Sequence, residues 1–195
     1  MPEETKNSIV SDVGQDNTAL LHQAIRKGDY IKIKELLQER KIDIDAEDAF
    51  GMRPLYKAVL KNYVNIAKIL LEQGADPNAT SDGSVALEMA ARQGNMEMLM
   101  LLLDGGATVN TKNCLLLHAA AGSIKDQELE AKKNDGWKVM RYLIQNYPLN
   151  PYEKDDRGLT PQDILGEIDW SFEDYYSELV NEWRAVKETS LLGES

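Results

Sequence analysis

Two stretches of the chain carry apolar residues at helical spacing. Ile66, Ile69 and Leu70 fall at i, i+3 and i+4, and so do Met98, Leu101 and Leu102. That spacing lines one face of an α-helix. Other stretches carry paired small residues, Ala90-Ala91 and Ala120-Ala121, where a neighbouring helix can approach closely. Punctuation separates these segments. Gly28, Asn62 and Gly94 stand between paired helices, and Gly74 and Gly106 follow the second helix of a pair. Glycine and asparagine tolerate the left-handed backbone that ends a helix. Asp76-Pro77-Asn78 and the glycine-containing segments between units are turn formers.

The pattern repeats. Gly51, Leu55 and Ala58 find counterparts in Gly83, Leu87 and Ala90, and Gly74-Ala75 in Gly106-Ala107, each 32 residues on. Pro54-Leu55-Tyr56-Lys57-Ala58, and more weakly Ala86-Leu87-Glu88-Met89-Ala90, resemble the T-P-L-H-x-A signature of ankyrin repeats. That family repeats every ~33 residues as a turn and two helices. His22 in Leu21-His22-Gln23-Ala24 and His118 in Leu117-His118-Ala119-Ala120 occupy the signature histidine, and Thr160-Pro161 opens a fifth copy. The resemblance implies an all-α ankyrin-repeat solenoid of four to five helix-turn-helix units with turn or hairpin fingers. It also implies that His22 and His118 hydrogen-bond turn backbone. One such unit is too small to bury its own faces, and stacking supplies the continuous core.

The array is expected over 17–165, with a polar, disordered tail over 1–16. Unit one is irregular, with an added leucine in Ala19-Leu20-Leu21-His22, as suits a terminal repeat. Unit four carries a charged insertion at 122–135, a helical extension or a mobile loop, which either contacts a partner or is merely tolerated. Residues 166–195 read as a capping helix and tail. Phe172, Tyr176, Leu179, Val180, Trp183 and Val186 share one face there, with Ser171 as N-cap and Asp174 three residues on. Partner docking and a dimer seam are the alternatives for that helix. Tyr175 and Tyr176, set among acids, form a weak tyrosine-kinase motif.

Composition adds constraints. Hydrophobic residues make up 43 %, enough for a core. The net charge of -11 disfavours nucleic acid as a general partner. The single cysteine, Cys114, excludes an intramolecular disulfide and suits a reducing compartment. The acidic stretch up to Asn17 lacks the apolar core of a signal peptide, and Met96–Leu103 is too short to span a bilayer. A cytoplasmic protein, monomeric and without a membrane role, is therefore expected.

Chemistry is sparse. Cys114 and His118 are four apart, but a nucleophile and its base need an orienting third group. A metal site needs more ligands than these two. Gly105-Gly106 lacks the Lys-Ser/Thr of a phosphate loop. No catalytic residue, cofactor or metal is expected, and an enzyme is the least favoured reading.

Ankyrin-like proteins bind partners through turn tips and first helices. The tips here carry Ala49, Phe50 and Met52, then Ser81, Asp82 and Ser84, then Thr111, Lys112 and Asn113. Phe50 and Met52 are apolar at a position usually exposed, so they either meet a partner or fold back on the neighbouring turn. Arg26 and Lys27, then Lys61, then Arg92 and Gln93 end three successive first helices. They either form a basic stripe for an acidic segment of a partner or complement the helix dipoles. The expected function is a non-catalytic adaptor, scaffold or inhibitor. The alternative is a secreted bacterial effector that engages a host protein.

Overall fold

The computed structural model describes residues 17–38, 42–81, 83–110, 115–125, 133–166 and 172–192. Helix α1 covers 17–27. It is followed by α2 (Tyr30–Gln38), α3 (Pro54–Leu60) and α4 (Val64–Glu72), then strands β1 (Thr80–Ser81) and β2 (Ser84–Val85). Helices α5 (Ala86–Arg92), α6 (Met96–Asp104), α7 (Leu115–Lys125), α8 (Lys133–Asn146), α9 (Pro161–Leu165) and α10 (Phe172–Leu192) complete the order. They fall into two compact units, one of Met1–Ala86 with Leu101–Ala107 and the other of Leu87–Met100 with Thr108–Ser195.

In the first unit, α1 and α2 form one helix pair and α3 and α4 the next. Each pair turns through one left-handed residue, Gly28 at φ 70° and Asn62 at φ 59°. The bonds there are equivalent: Gly28 N–H donates to Ile25 O and Asp29 N–H to Ala24 O, as Asn62 N–H does to Val59 O and Tyr63 N–H to Ala58 O. These bonds satisfy carbonyls that a helix end leaves open. Gly28 is constrained twice over, because a Cβ there would stand 3.1 Å from the Tyr63 ring. The turns that follow α1 and α3 are therefore neighbours.

Pro54 opens α3, where a missing N–H costs no intrahelical bond. The core of this unit is Leu21, Ile25, Ile33, Leu55, Val59, Ile66 and Leu70, all buried. Each large aliphatic residue contributes about 1.5–3 kcal/mol by leaving water. Ala58 and Ala67, also buried, keep the helices close. The third finger is a two-stranded antiparallel hairpin that pairs Thr80 with Val85 and Ser81 with Ser84.

In the second unit, α7 packs on α8 and α9, and α10 packs on α8. α7 and α8 approach tightly at Gly136, where a Cβ would collide with Ser123 Oγ and lie 2.6 Å from Ile124 Cγ1. Both ends of the 122–135 insertion are helical: α7 runs on to Lys125 and α8 starts at Lys133. Residues 126–132 lie outside the described residues, as do the 1–16 tail and Ser171. Thr160 caps α9 reciprocally with Asp163, and Pro161 opens the helix, so the fifth copy begins as its Thr-Pro suggests. On α10, Tyr176, Leu179 and Val180 are buried, and Tyr176 donates its hydroxyl to Pro151 O at 2.6 Å. With that hydroxyl engaged and buried, Tyr176 offers nothing to a kinase. Tyr175, by contrast, is exposed and lies 6.0 Å from Trp137, centroid to centroid.

Candidate functional site: the first finger

Asp48, three residues ahead of Gly51, organises the turn before α3. One carboxylate oxygen accepts the amides of Phe50 at 2.8 Å and Met52 at 2.9 Å. The backbone closes with Asp48 N–H to Met52 O and Gly51 N–H to Asp48 O, with Gly51 left-handed at φ 70°. The other carboxylate oxygen pairs with the Lys57 ammonium, from one turn into α3. These two side chains are only 15 % and 16 % exposed, so water screens the pair weakly. Burial pushes the Asp48 carboxyl up, but the Lys57 ammonium and the amides of Met52 and Phe50 outweigh it and hold the pKa at about 2.

Lys57 also donates to His22 Nδ1 at 3.2 Å, and His22 Nε2 donates to Ala46 O at 2.9 Å. The two contacts assign the neutral ring with its proton on Nε2. Burial and the nearby Lys57 charge lower the His22 pKa below its ordinary 6.5, against the Ala46 bond and Asp48, which raise it. His22 thus hydrogen-bonds turn backbone, as the ankyrin resemblance implies. His118 does likewise in the second unit, donating to Leu159 O at 2.8 Å.

Arg53 ties this finger to the next. Its amide donates to Ser81 Oγ at 3.0 Å, its Nε to Thr80 O at 2.9 Å, and its guanidinium also reaches Asp45 O and Glu47. Ser81, expected at a fingertip, points inward and is fully buried for this reason. The expectations left two states open for Phe50. It does not fold back: it is 76 % exposed, while its amide is held by Asp48. Met52 is half-buried.

Of the other proposed contact residues, Arg26, Lys27 and Lys61 are exposed in this same unit. Arg26 and Lys27 precede Gly28, whose neighbour Tyr63 follows Lys61, so these cations end adjacent turns. Phe50 and Lys61 stand at opposite ends of α3, separated by roughly 10 Å of helix. Arg92 is exposed and Gln93 half-buried in the other unit. Burial raises the Glu88 carboxyl above its ordinary range, and the charge of Arg92, one turn on, offsets only part of that. Lys112 and Cys114 lie outside the described residues, as do Thr111, Asn113 and Asp82. The Lys57–His22–Asp48 chain was not anticipated from sequence. Its one signal is the spacing Asp48-x-x-Gly51, which recurs as Asp155-x-x-Gly158.

Both nitrogens of His22 are engaged and Lys57 is paired. Among the described residues no group of His, Cys, Asp or Glu is placed to hold a metal ion, and no helix is long and apolar enough to cross a membrane. What the finger does is hold an exposed phenyl ring on a backbone hydrogen-bonded to Asp48.

Comparison with known proteins agrees with the repeat pattern. Two family descriptions match, ankyrin repeats (3 copies) over residues 3–81 and ankyrin repeats (many copies) over 61–103. The chain is 34 % identical over 145 residues to alpha-latroinsectotoxin-Lt1a of Latrodectus tredecimguttatus, covering 71 % of this chain and 9 % of the toxin. It is 37 % identical over 89 residues to the inactive serine/threonine-protein kinase TEX14 of Bos taurus, covering 45 % of this chain and 6 % of that protein. It is 40 % identical over 113 residues to the B-cell lymphoma 3 protein homolog of Mus musculus, covering 56 % of this chain and 25 % of that one. The chain thus spans a quarter or less of the length of these relatives. It belongs to the ankyrin-repeat proteins, whose repeats are non-catalytic modules for binding other proteins.

Proposed function

We propose that this chain is a non-catalytic adaptor, scaffold or inhibitor that works as a monomer in the cytoplasm. It docks a partner protein on the first finger and first helices of its N-terminal unit. Phe50 anchors the contact, with Met52 beside it and Arg26, Lys27 and Lys61 supplying positive charge for an acidic stretch of the partner. The carrying observation is the 76 % exposure of Phe50 on a turn whose amides bond Asp48, itself paired with Lys57. Aromatic anchors that are already positioned lose little conformational entropy on binding, and such residues concentrate interface energy.

The test is affinity capture followed by mass spectrometry with three proteins: native, Phe50→Ser, and Arg26→Glu/Lys61→Glu. All three must first show equal helical circular dichroism and melting. A partner held by the native chain and lost with Phe50→Ser supports the reading. Partners retained equally by all three would sink it.

A further inference from the structure

The contacts that run from His22 to the first fingertip include one proton-sensitive joint. Lys57 Nζ donates to His22 Nδ1 at 3.2 Å, and His22 Nε2 donates its own proton to Ala46 O at 2.9 Å. A second proton on the ring enters at Nδ1, where the lone pair faces an ammonium. Protonated there, the nitrogen turns from acceptor to donor, and one positive charge stands against another. Lys57 then has to give up the ring. Lys57 is also the countercharge of Asp48, and Asp48 accepts the amides of Phe50 and Met52. One proton on α1 thus reaches the fingertip through Lys57 and Asp48.

Two charged groups face the ring. Lys57 comes from α3 and Asp48 from the finger, and they act on His22 with opposite sign. The finger's other charges are engaged elsewhere. Asp43 accepts the Asp45 amide, Asp45 accepts the Asp76 amide, and Glu47 pairs with Arg53 at 2.9 Å. Arg26 on α1 and Lys61 after α3 are exposed. Burial and the Lys57 charge outweigh the Ala46 bond and Asp48, so the ring stays neutral down to a pH below its ordinary 6.5.

We propose that His22 is an acid-operated release for the first finger: a proton on Nδ1 drives Lys57 off the ring, disturbs its hold on Asp48 and loosens the turn that presents Phe50. Histidine is the side chain suited to such a change just below neutrality. The consequence, loss of a docked partner on acidification, rests on the fingertip reading above. The release itself belongs to the finger and is read without a partner. The turn at Asp155–Leu159 lacks the device. Asp155 takes its countercharge from Arg157 at 2.8 Å, and a guanidinium keeps its proton throughout this range.

The experiment follows the isotope-labelled full chain by NMR from about pH 7.5 to about pH 5. It reads the His22 ring and the hydrogen exchange of backbone amides, corrected for the intrinsic effect of pH. Exchange at Phe50 and Met52 is expected to rise at least about fivefold, with the midpoint of the His22 titration, while Arg157 and Leu159 stay level. His22→Gln, whose amide can still donate to Ala46 O but takes up no proton, is expected to abolish the rise. His118→Gln is expected to keep it. Should His22→Gln melt early, the coincidence of midpoints in the native chain decides alone. Four results would overturn the proposal: no proton uptake by His22 above about pH 5, a His22 titration that leaves Phe50 and Met52 protected, a rise that survives His22→Gln, or an equal rise at Arg157 and Leu159. Equal partner capture by the native and Phe50→Ser chains would instead remove the docking reading and leave these amides unchanged.

Discussion

The fingers at Asp48–Met52 and Asp155–Leu159 share one backbone and differ in what their tips carry. In both, the aspartate accepts the amides two and four residues on. In both, its own amide donates to the carbonyl four residues on, and the glycine amide donates to the aspartate carbonyl. The second residue after the aspartate points outward in each. In the first finger that residue is Phe50, and Asp48 is neutralised from behind by Lys57. In the second it is Arg157, whose guanidinium curls back onto Asp155 at 2.8 Å. Burial pushes the Asp155 carboxyl up, and the amides of Leu159 and Arg157 with the Arg157 guanidinium bring it down. The second finger therefore satisfies its own charge. The first draws its countercharge from α3, and that leaves its outward position free for an aromatic ring. An Asp-x-x-Gly turn specifies a shape, and the source of the countercharge decides what the tip presents.

The largest way to break this comparison is Asp48→Ala. It removes two charge-assisted bonds and leaves Lys57 mostly buried without its carboxylate, so a loss of about 2–3 kcal/mol is expected. The matching Asp155→Ala is expected to lose less, because its partner Arg157 is well exposed and returns to water. Chemical denaturation of both variants checks the ranking, and equal losses would remove the distinction between the fingers. Next come Gly51→Ala and Gly158→Ala. Both glycines are left-handed, at φ 70° and 79°, with nothing within 4 Å of an added Cβ. Each is expected to cost about 1 kcal/mol, and the two costs should agree if the backbones are equivalent.

A smaller effect concerns pH. The folded His22 has a pKa below 6.5, so the unfolded chain takes up its proton first. The stability it contributes is complete above pH 6.5 and declines as pH falls toward the lowered folded value. Urea midpoints at about pH 7.5 and about pH 5.5 should converge in His22→Gln relative to the native chain. Asp48 adds a separate loss at lower pH, as acid protonates it on the way down through about 2. The smallest stability change is expected for Phe50→Ser, within about 0.5 kcal/mol, because the ring is mostly in water. That variant separates display from folding: melting stays and partner capture goes.

Much of the architecture was legible in the residues. The left-handed helix ends at Gly28, Asn62, Gly74, Gly94 and Gly106 all appear with positive φ. Such turns depend on a residue and its immediate neighbours, so local chemistry suffices to read them. His22 and His118 were equally legible, because the signature position implies a bond to turn backbone. The site was less so. Ser81 reads as a tip residue, yet the amide of Arg53, 28 residues earlier, holds it inside. Lys57 stands in the signature with no role of its own until Asp48 and His22 are brought beside it. Helical spacing puts Tyr176 and not Tyr175 on the apolar face, but the bond of the Tyr176 hydroxyl to Pro151 is visible only in the structure.

Helix spacing, the 32-residue period and the turn residues were thus enough to define paired helices and their order. Those features act over a few residues or through a repeated face, so they survive in a linear string. Packing between repeats decided which polar groups found partners and which side chains were left in water. Asp48 is neutralised by a lysine from the helix behind it, and Trp183 and Arg184 meet Tyr152 because the turn after α8 approaches α10. Neighbours of that kind are set by distance in space, and spacing along the chain carries no record of them.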